Sequence, residues 1–241
     1  PTCKASWPQH LPDYQQEIPW KEIGQQFATN AGTTRDTGSW FKNILHRAMY
    51  LRARRGAPHT CLACASNALE DWSHFWRCPT FFPVWSKLLY TANDATEQDK
   101  YEMTAQFVYL GIDMDGGSIN GTLALLHKIV WKFIILEWMK ASQENREVRA
   151  GQIWRRAVRR MVTRVNAQAR AVQRQNLTDK GRKITRKWAA LNNKIAPLAK
   201  INPRSARVEW CQNIKEEFRN NHAIHEDQDD VDESDGDSGG A

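Results

Sequence analysis

The stretch LALLHKIVWKFIILEWMK, Leu123 to Lys140, decides how this chain folds. It is apolar nearly all round a helix, and such a helix belongs inside a core rather than at a surface. It also contains His127, Lys128, Lys132 and Glu137. It is too short and too charged to span a bilayer, and no secretory signal is present. The expectation is a central helix around which other helices assemble, with no membrane partner.

Working outward toward the C-terminus, a long helix is expected over Glu144 to Gln175. Trp154, Val158, Met161, Val165, Ala169 and Val172 recur at three and four along it, the period of one helical face. Arg155, Arg156, Arg159, Arg160, Arg164, Arg170 and Arg174 crowd the remaining surface. A second basic helix is expected over Thr178 to Leu198, broken by Pro203, and a last helix over Ser205 to Asn220. No strand pattern stands out. From about His222 the chain is acidic and rich in Gly and Ser, the composition of a disordered tail.

Toward the N-terminus, Gly111 to Gly121 reads as a turn. Its Asp113 and Asp115 lack the downstream Glu of a calcium loop. Thr96 to Leu110 is expected to be helical, with Tyr101, Phe107, Val108 and Leu110 inward. A short helix is expected after Pro83, around Trp85, Leu88 and Leu89. Another starts at Ser39, an N-cap residue type, and runs through Trp40, Phe41, Ile44, Leu45, Ala48 and Leu51 to a stop at Gly56 and Pro58. Residues 1–38 read as mostly loop, since Pro8, Pro12 and Pro19 interrupt helix. The chain opens on Pro1-Thr2 without an initiator Met, as a processed or excised piece would.

Charge divides the chain. Residues 1–145 hold 14 Lys and Arg against 14 Asp and Glu; residues 146–220 hold 20 against 5; residues 221–241 hold 8 acidic and no basic residues. The net charge of +7 hides that asymmetry. A dense basic block points to a polyanion, and arginines are suited to gripping phosphates. Arg155, Arg156, Arg159, Arg160 and Arg164 are the candidate contacts, joined by Arg52, Arg54 and Arg55.

Between those two groups lies CLACASNALEDWSHFWRCP, Cys61 to Pro79. Its pattern is Cys61-x2-Cys64-x9-His74-x3-Cys78. Two residues between cysteines form a tight turn that aims both thiolates at one point. Three residues between His74 and Cys78 put them one helical turn apart on one face. Cys3His is a structural zinc set, and four protein ligands leave no open position for catalysis. A helix with a chance cysteine, or a redox Cys-x-x-Cys pair, explains only part of the pattern. Cys3 and Cys211 stand outside it and read as ordinary thiols. Five cysteines, unevenly spaced, do not make a disulfide framework.

The segment over residues 39–90 resembles the zinc-binding region that follows the reverse transcriptase in LINE-type (non-LTR) retrotransposon polyproteins. The matching residues are Trp40-Phe41, Leu51-Arg52 with Arg54-Arg55, Cys61 and Cys64, Glu70, His74, Cys78-Pro79, and Val84-Trp85. This chain departs from the family in having three residues, not four, between His74 and Cys78. It also has Asp71 where Thr is common. The resemblance implies a zinc knuckle that helps hold element RNA or target DNA beside an upstream reverse transcriptase domain of the same polyprotein. It implies a non-catalytic piece at an intracellular site, nuclear or cytoplasmic. No polymerase motif occurs here, and no nuclease carboxylate set is visible.

Together these readings give a mainly α chain. A loop-rich segment (1–38) precedes a zinc-knuckle domain (39–92). A helical basic region (93–220) and a disordered acidic tail (221–241) follow. Structural zinc is the expected cofactor, and RNA or single-stranded DNA the expected partner. The competing reading is a zinc-stapled scaffold that packs on the polymerase or on an acidic protein.

Overall fold

A computed structural model describes residues 7–11, 13–14, 16–28, 38–46, 49, 51, 60–64, 66–96, 99–119, 121–174, 198–201 and 207–222. The expected 178–198 helix up to residue 197, Arg52, Arg54, Arg55, Cys3 and residues 223–241 of the expected acidic tail lie outside these residues, while residues 221–222, expected as the start of the disordered tail, belong to the last helix.

The fold is mainly helical. In chain order, α1 is Trp20–Ala28, α2 is Trp72–Phe75, α3 is Phe82–Thr96 and α4 is Ala105–Leu110. Helix α5 is Gly121–Glu144, α6 is Ala150–Arg174 and α7 is Gln212–His222. A π-helical segment spans Trp40–Leu45, between α1 and α2. Strands β1 (Ala199–Ile201) and β2 (Val208–Trp210) pair antiparallel, with Lys200 opposite Glu209.

Helix α5 is the core, as its all-round apolar character requires. It packs on α6 and on the π segment; α6 in turn packs on α3, α7 and β2. Aromatic rings cluster on Trp131. Trp85 lies 4.8 Å from it, Tyr109 5.7 Å and Phe75 5.9 Å, the last two nearly parallel to it. Buried indole N–H groups need acceptors, and backbone carbonyls supply them. Trp131 Nε1 donates to Val108 O at 2.7 Å, Trp40 Nε1 to Tyr109 O at 2.9 Å and Trp7 Nε1 to Leu45 O at 3.0 Å. These bonds tie helix α4, the π segment and the N-terminal residues to one centre.

Several expectations need correction. The residues read as N-terminal loop include α1, and Trp7, Leu11, Ile18 and Ile23 are buried in the core. Pro19 does not stop helix there; its carbonyl accepts from Ile23 N at 3.0 Å and opens α1. The helix expected from Ser39 to Leu51 ends at His46; Met49 and Leu51 are buried but not helical. The helix expected from Thr96 begins only at Ala105. The Asn93 side chain donates to Tyr101 O and accepts from Tyr101 N, both at 2.9 Å, so the preceding segment is held without helix. Thr104 then caps α4 by accepting from Phe107 N at 3.3 Å.

The long helix placed at Glu144–Gln175 is instead the end of α5, a turn, and α6. Asn145 takes a left-handed φ of 48°. Glu137, buried on α5, clamps the turn: one oxygen accepts from Arg146 Nη1 at 2.7 Å and Arg149 N at 2.9 Å. Burial opposes ionisation of Glu137, but these donors outweigh it and lower its pKa. Finally, the β1–β2 ribbon occupies residues read as helix or break, and the last helix starts at Gln212. A three-residue strand is too short to show alternation, so its pairing is visible only in three dimensions.

Among the described residues, no helix is long and apolar enough to cross a membrane.

Candidate metal centre

Local structure explains how the four candidate ligands reach one place. Cys61 and Cys64 sit on a loop closed at its base by the Thr60–Leu69 bridge and by Cys61 N donating to Ala68 O at 2.7 Å. Asn67, at φ 52°, makes the reversal. His74 is carried by α2. Asp71 is that helix's N-cap and accepts from His74 N and Ser73 Oγ, both at 2.8 Å. Asp is among the favoured capping residues. Cys78 leads into α3, its carbonyl accepting from Phe82 N at 2.9 Å. Thr80 Oγ1 donates to Ala63 O and stitches the two ligand pairs together.

The ligand atoms Cys61 Sγ, Cys64 Sγ, His74 Nε2 and Cys78 Sγ all lie within 4.8 Å of one another. Cys61 and Cys78 are 3.9 Å apart, and Cys64 Sγ is 3.4 Å from His74 Nε2. Tetrahedral zinc with ordinary bond lengths requires edges of about 3.8 Å between sulfurs and about 3.6 Å from sulfur to nitrogen. The Cys61–Cys78 and Cys64–His74 pairs lie close to these edges, and the remaining pairs lie within 4.8 Å. Cys61 and Cys78 are buried, Cys64 and His74 half-buried. The Cys61 thiol is pushed up, first by its hydrogen bond to Cys78 and then by burial. Cys78 is lowered, chiefly by that same bond. A metal bound by these thiols would displace their protons.

This is the one such cluster among the described residues. Asp113, set aside as a calcium ligand, is occupied otherwise. Its Oδ1 accepts from Gly117 N at 2.6 Å and Asp115 N at 3.1 Å, and its Oδ2 pairs with Lys100 at 2.9 Å.

Glu70 was legible only as a matching acidic residue. It is fully buried, and its Oε2 accepts from Leu62 N and from Trp138 Nε1, each at 3.2 Å. It ties the Cys61–Cys64 loop to α5. A lone Glu in a polar spacer carries no sequence signal for that, because Trp138 is 68 residues away.

The arginine candidates lie on α6, whose buried side is Ile153, Trp154, Ala157, Val158, Met161, Val162, Val165 and Ala169. Arg155, Arg156 and Arg159 are exposed, and Arg160 and Arg164 half-buried. Arg155 Nε donates to Gly151 O at 3.4 Å, and the Arg156 guanidinium lies 5.0 Å over the Phe133 ring. Among the described residues no tryptophan ring is exposed for stacking on nucleobases: Trp20, Trp76 and Trp210 are half-buried, and the other described tryptophans are buried. Cys211 is half-buried, with its thiol pKa raised by burial.

Fold and site define a mainly helical domain with a Cys3His cluster that can hold a metal ion. Compared with known proteins, the chain matches no family model, no curated protein and no solved structure.

Proposed function

We propose that this chain is a zinc-stabilised nucleic-acid-binding module, derived from the C-terminal part of a LINE-type retrotransposon polyprotein. Zinc is the metal of choice because three thiolates and an imidazole are soft and borderline donors at tetrahedral spacing. Its role is structural: it fixes the Cys61–Cys78 segment, and all four positions are protein ligands. The polyprotein origin rests on the resemblance over residues 39–90, and the partner it implies is an upstream reverse transcriptase domain.

The observation that carries nucleic-acid binding is the α6 surface. Arg155, Arg156 and Arg159 are exposed on the side away from the buried stripe, and half-buried Arg160 and Arg164 flank it, on a rigid helix anchored to α5. Arginines so arrayed neutralise successive phosphates and release counterions. They position a strand without reading its sequence, so RNA or single-stranded DNA of any sequence suits them. No reaction is assigned.

A second reading, protein scaffolding, draws on one feature. Leu136 and Met139 on α5 are 43% and 45% exposed, next to half-buried Phe133. A fluorescent 20-nucleotide RNA titrated at several salt concentrations separates the two. The nucleic-acid reading expects affinity to fall steeply with salt; absent or salt-independent binding would favour scaffolding. Elemental analysis of the purified chain should find about one zinc per chain, as four ligands require.

A further inference from the structure

We propose that Glu70 is the positioning residue of the metal centre, coupling metal loading to the docking of the ligand loop on α5. The inference rests on the zinc reading above and extends it beyond the four ligands. Glu70 stands inside the spacer between Cys64 and His74, one residue from the bridge partner Leu69 and one from the α2 cap Asp71. It therefore sits at the joint between the Cys61–Cys64 loop and the His74–Cys78 segment.

Its carboxylate is fully buried, and a buried carboxylate is tolerated only when donors satisfy it. One donor, Leu62 N, lies within the Cys-x2-Cys turn. Another, Trp138 Nε1, lies on the core helix. The two bonds meet on the same oxygen, so the turn and α5 are held in one register by a single atom. Metal fixes the turn and thereby presents Leu62 N to Glu70. In return, Glu70 holds the turn where Cys61 and Cys64 face His74 and Cys78. Such coupling is reciprocal: whatever Glu70 contributes to metal affinity, metal contributes to seating the loop on α5.

The test measures zinc affinity of the full chain by competition with a chromophoric chelator. The chains compared are wild type, Glu70→Ala, Glu70→Gln and Trp138→Phe. Urea unfolding of the chelator-stripped chains runs alongside. Glu70→Ala should weaken zinc binding by about 10- to 100-fold, the range for groups that orient metal ligands. Glu70→Gln keeps an oxygen that can accept both bonds and should recover most of that loss. Trp138→Phe removes one donor, keeps the ring packing, and should fall between. Stripped Glu70→Ala should lose less stability than the zinc-loaded variant does.

Unchanged zinc affinity in both Glu70→Ala and Trp138→Phe would overturn the proposal. So would equal losses of stability with and without metal, the mark of a purely structural carboxylate. Should Glu70→Ala fail to fold, Trp138→Phe decides alone: weakened affinity supports the proposal, wild-type affinity overturns it. A wild-type chain that takes up no zinc would sink the metal reading itself, and the role of Glu70 with it.

Discussion

Replacing Arg155, Arg156, Arg159 and Arg160 together by Ala tests the proposed nucleic-acid face most directly. Three of these side chains are exposed and Arg160 is half-buried. Each phosphate contact on a single strand contributes about 0.7 to the slope of log affinity against log salt. Arg156 counts for less than a full contact, because it already lies over Phe133 and feels Glu137. The variant should therefore flatten the slope by about 2 to 3. In 0.15 M salt its affinity for a 20-nucleotide RNA should fall by about 100-fold, and the gap should widen at lower salt. Alanine is the best helix former, so α6 should persist, with unchanged circular dichroism. The assay is fluorescence anisotropy at 0.05, 0.1, 0.15 and 0.3 M salt. A variant with the wild-type slope would refute the assignment of phosphate contacts to α6.

Two further outcomes follow from Lys128 and Asp71. Lys128 is fully buried, 4.6 Å over the Trp40 ring, and burial lowers its pKa to about 7. The neighbouring His127 is pushed down to about 3 by burial and then by Lys128, so it stays neutral. Between pH 7 and the ordinary lysine value, the unfolded chain holds a proton that the folded chain has released. Lys128 therefore costs most below pH 7, and stability rises with pH through that window. Its pKa drop is worth roughly 5 kcal/mol, and the lost Trp40 contact offsets about 2 kcal/mol. Lys128→Met should thus stabilise the chain by about 3 kcal/mol at pH 7 by urea titration, the gain shrinking by more than half at pH 9.5; a less stable variant at pH 7 would contradict this. Asp71→Ala removes the α2 cap and should cost about 1 kcal/mol in thermal unfolding, with weaker zinc binding, whereas Asp71→Thr should keep both.

The parts of this molecule legible in sequence are those whose causes are local. The Cys61-x2-Cys64 turn sets two positions of the cluster by short-range geometry, whereas the helical turn expected between His74 and Cys78 is not formed: α2 ends at Phe75, and a turn at Trp76 and Arg77 brings Cys78 to the cluster. The Leu123–Lys140 core helix and the arginine side of α6 were legible for a similar reason: helical periodicity repeats within a few residues. Helix ends were less legible where distant or side-chain groups decide them. Asn93 holds the stretch before α4 out of helix, and Glu137 fixes the α5–α6 break from the middle of α5.

By itself, then, the sequence determined the helical class, the four members of the Cys3His cluster and the row of arginines along α6, because spacing along a chain dictates which side chains share a turn or a stripe. Tertiary structure alone decided that Glu70 is a buried link to Trp138, that Lys128 lies beneath Trp40, and that β1 finds β2. Each of these depends on partners brought together by the packing around α5. An acidic residue in a spacer and a lysine in a helix look like solvent-facing groups until the fold removes the water from around them.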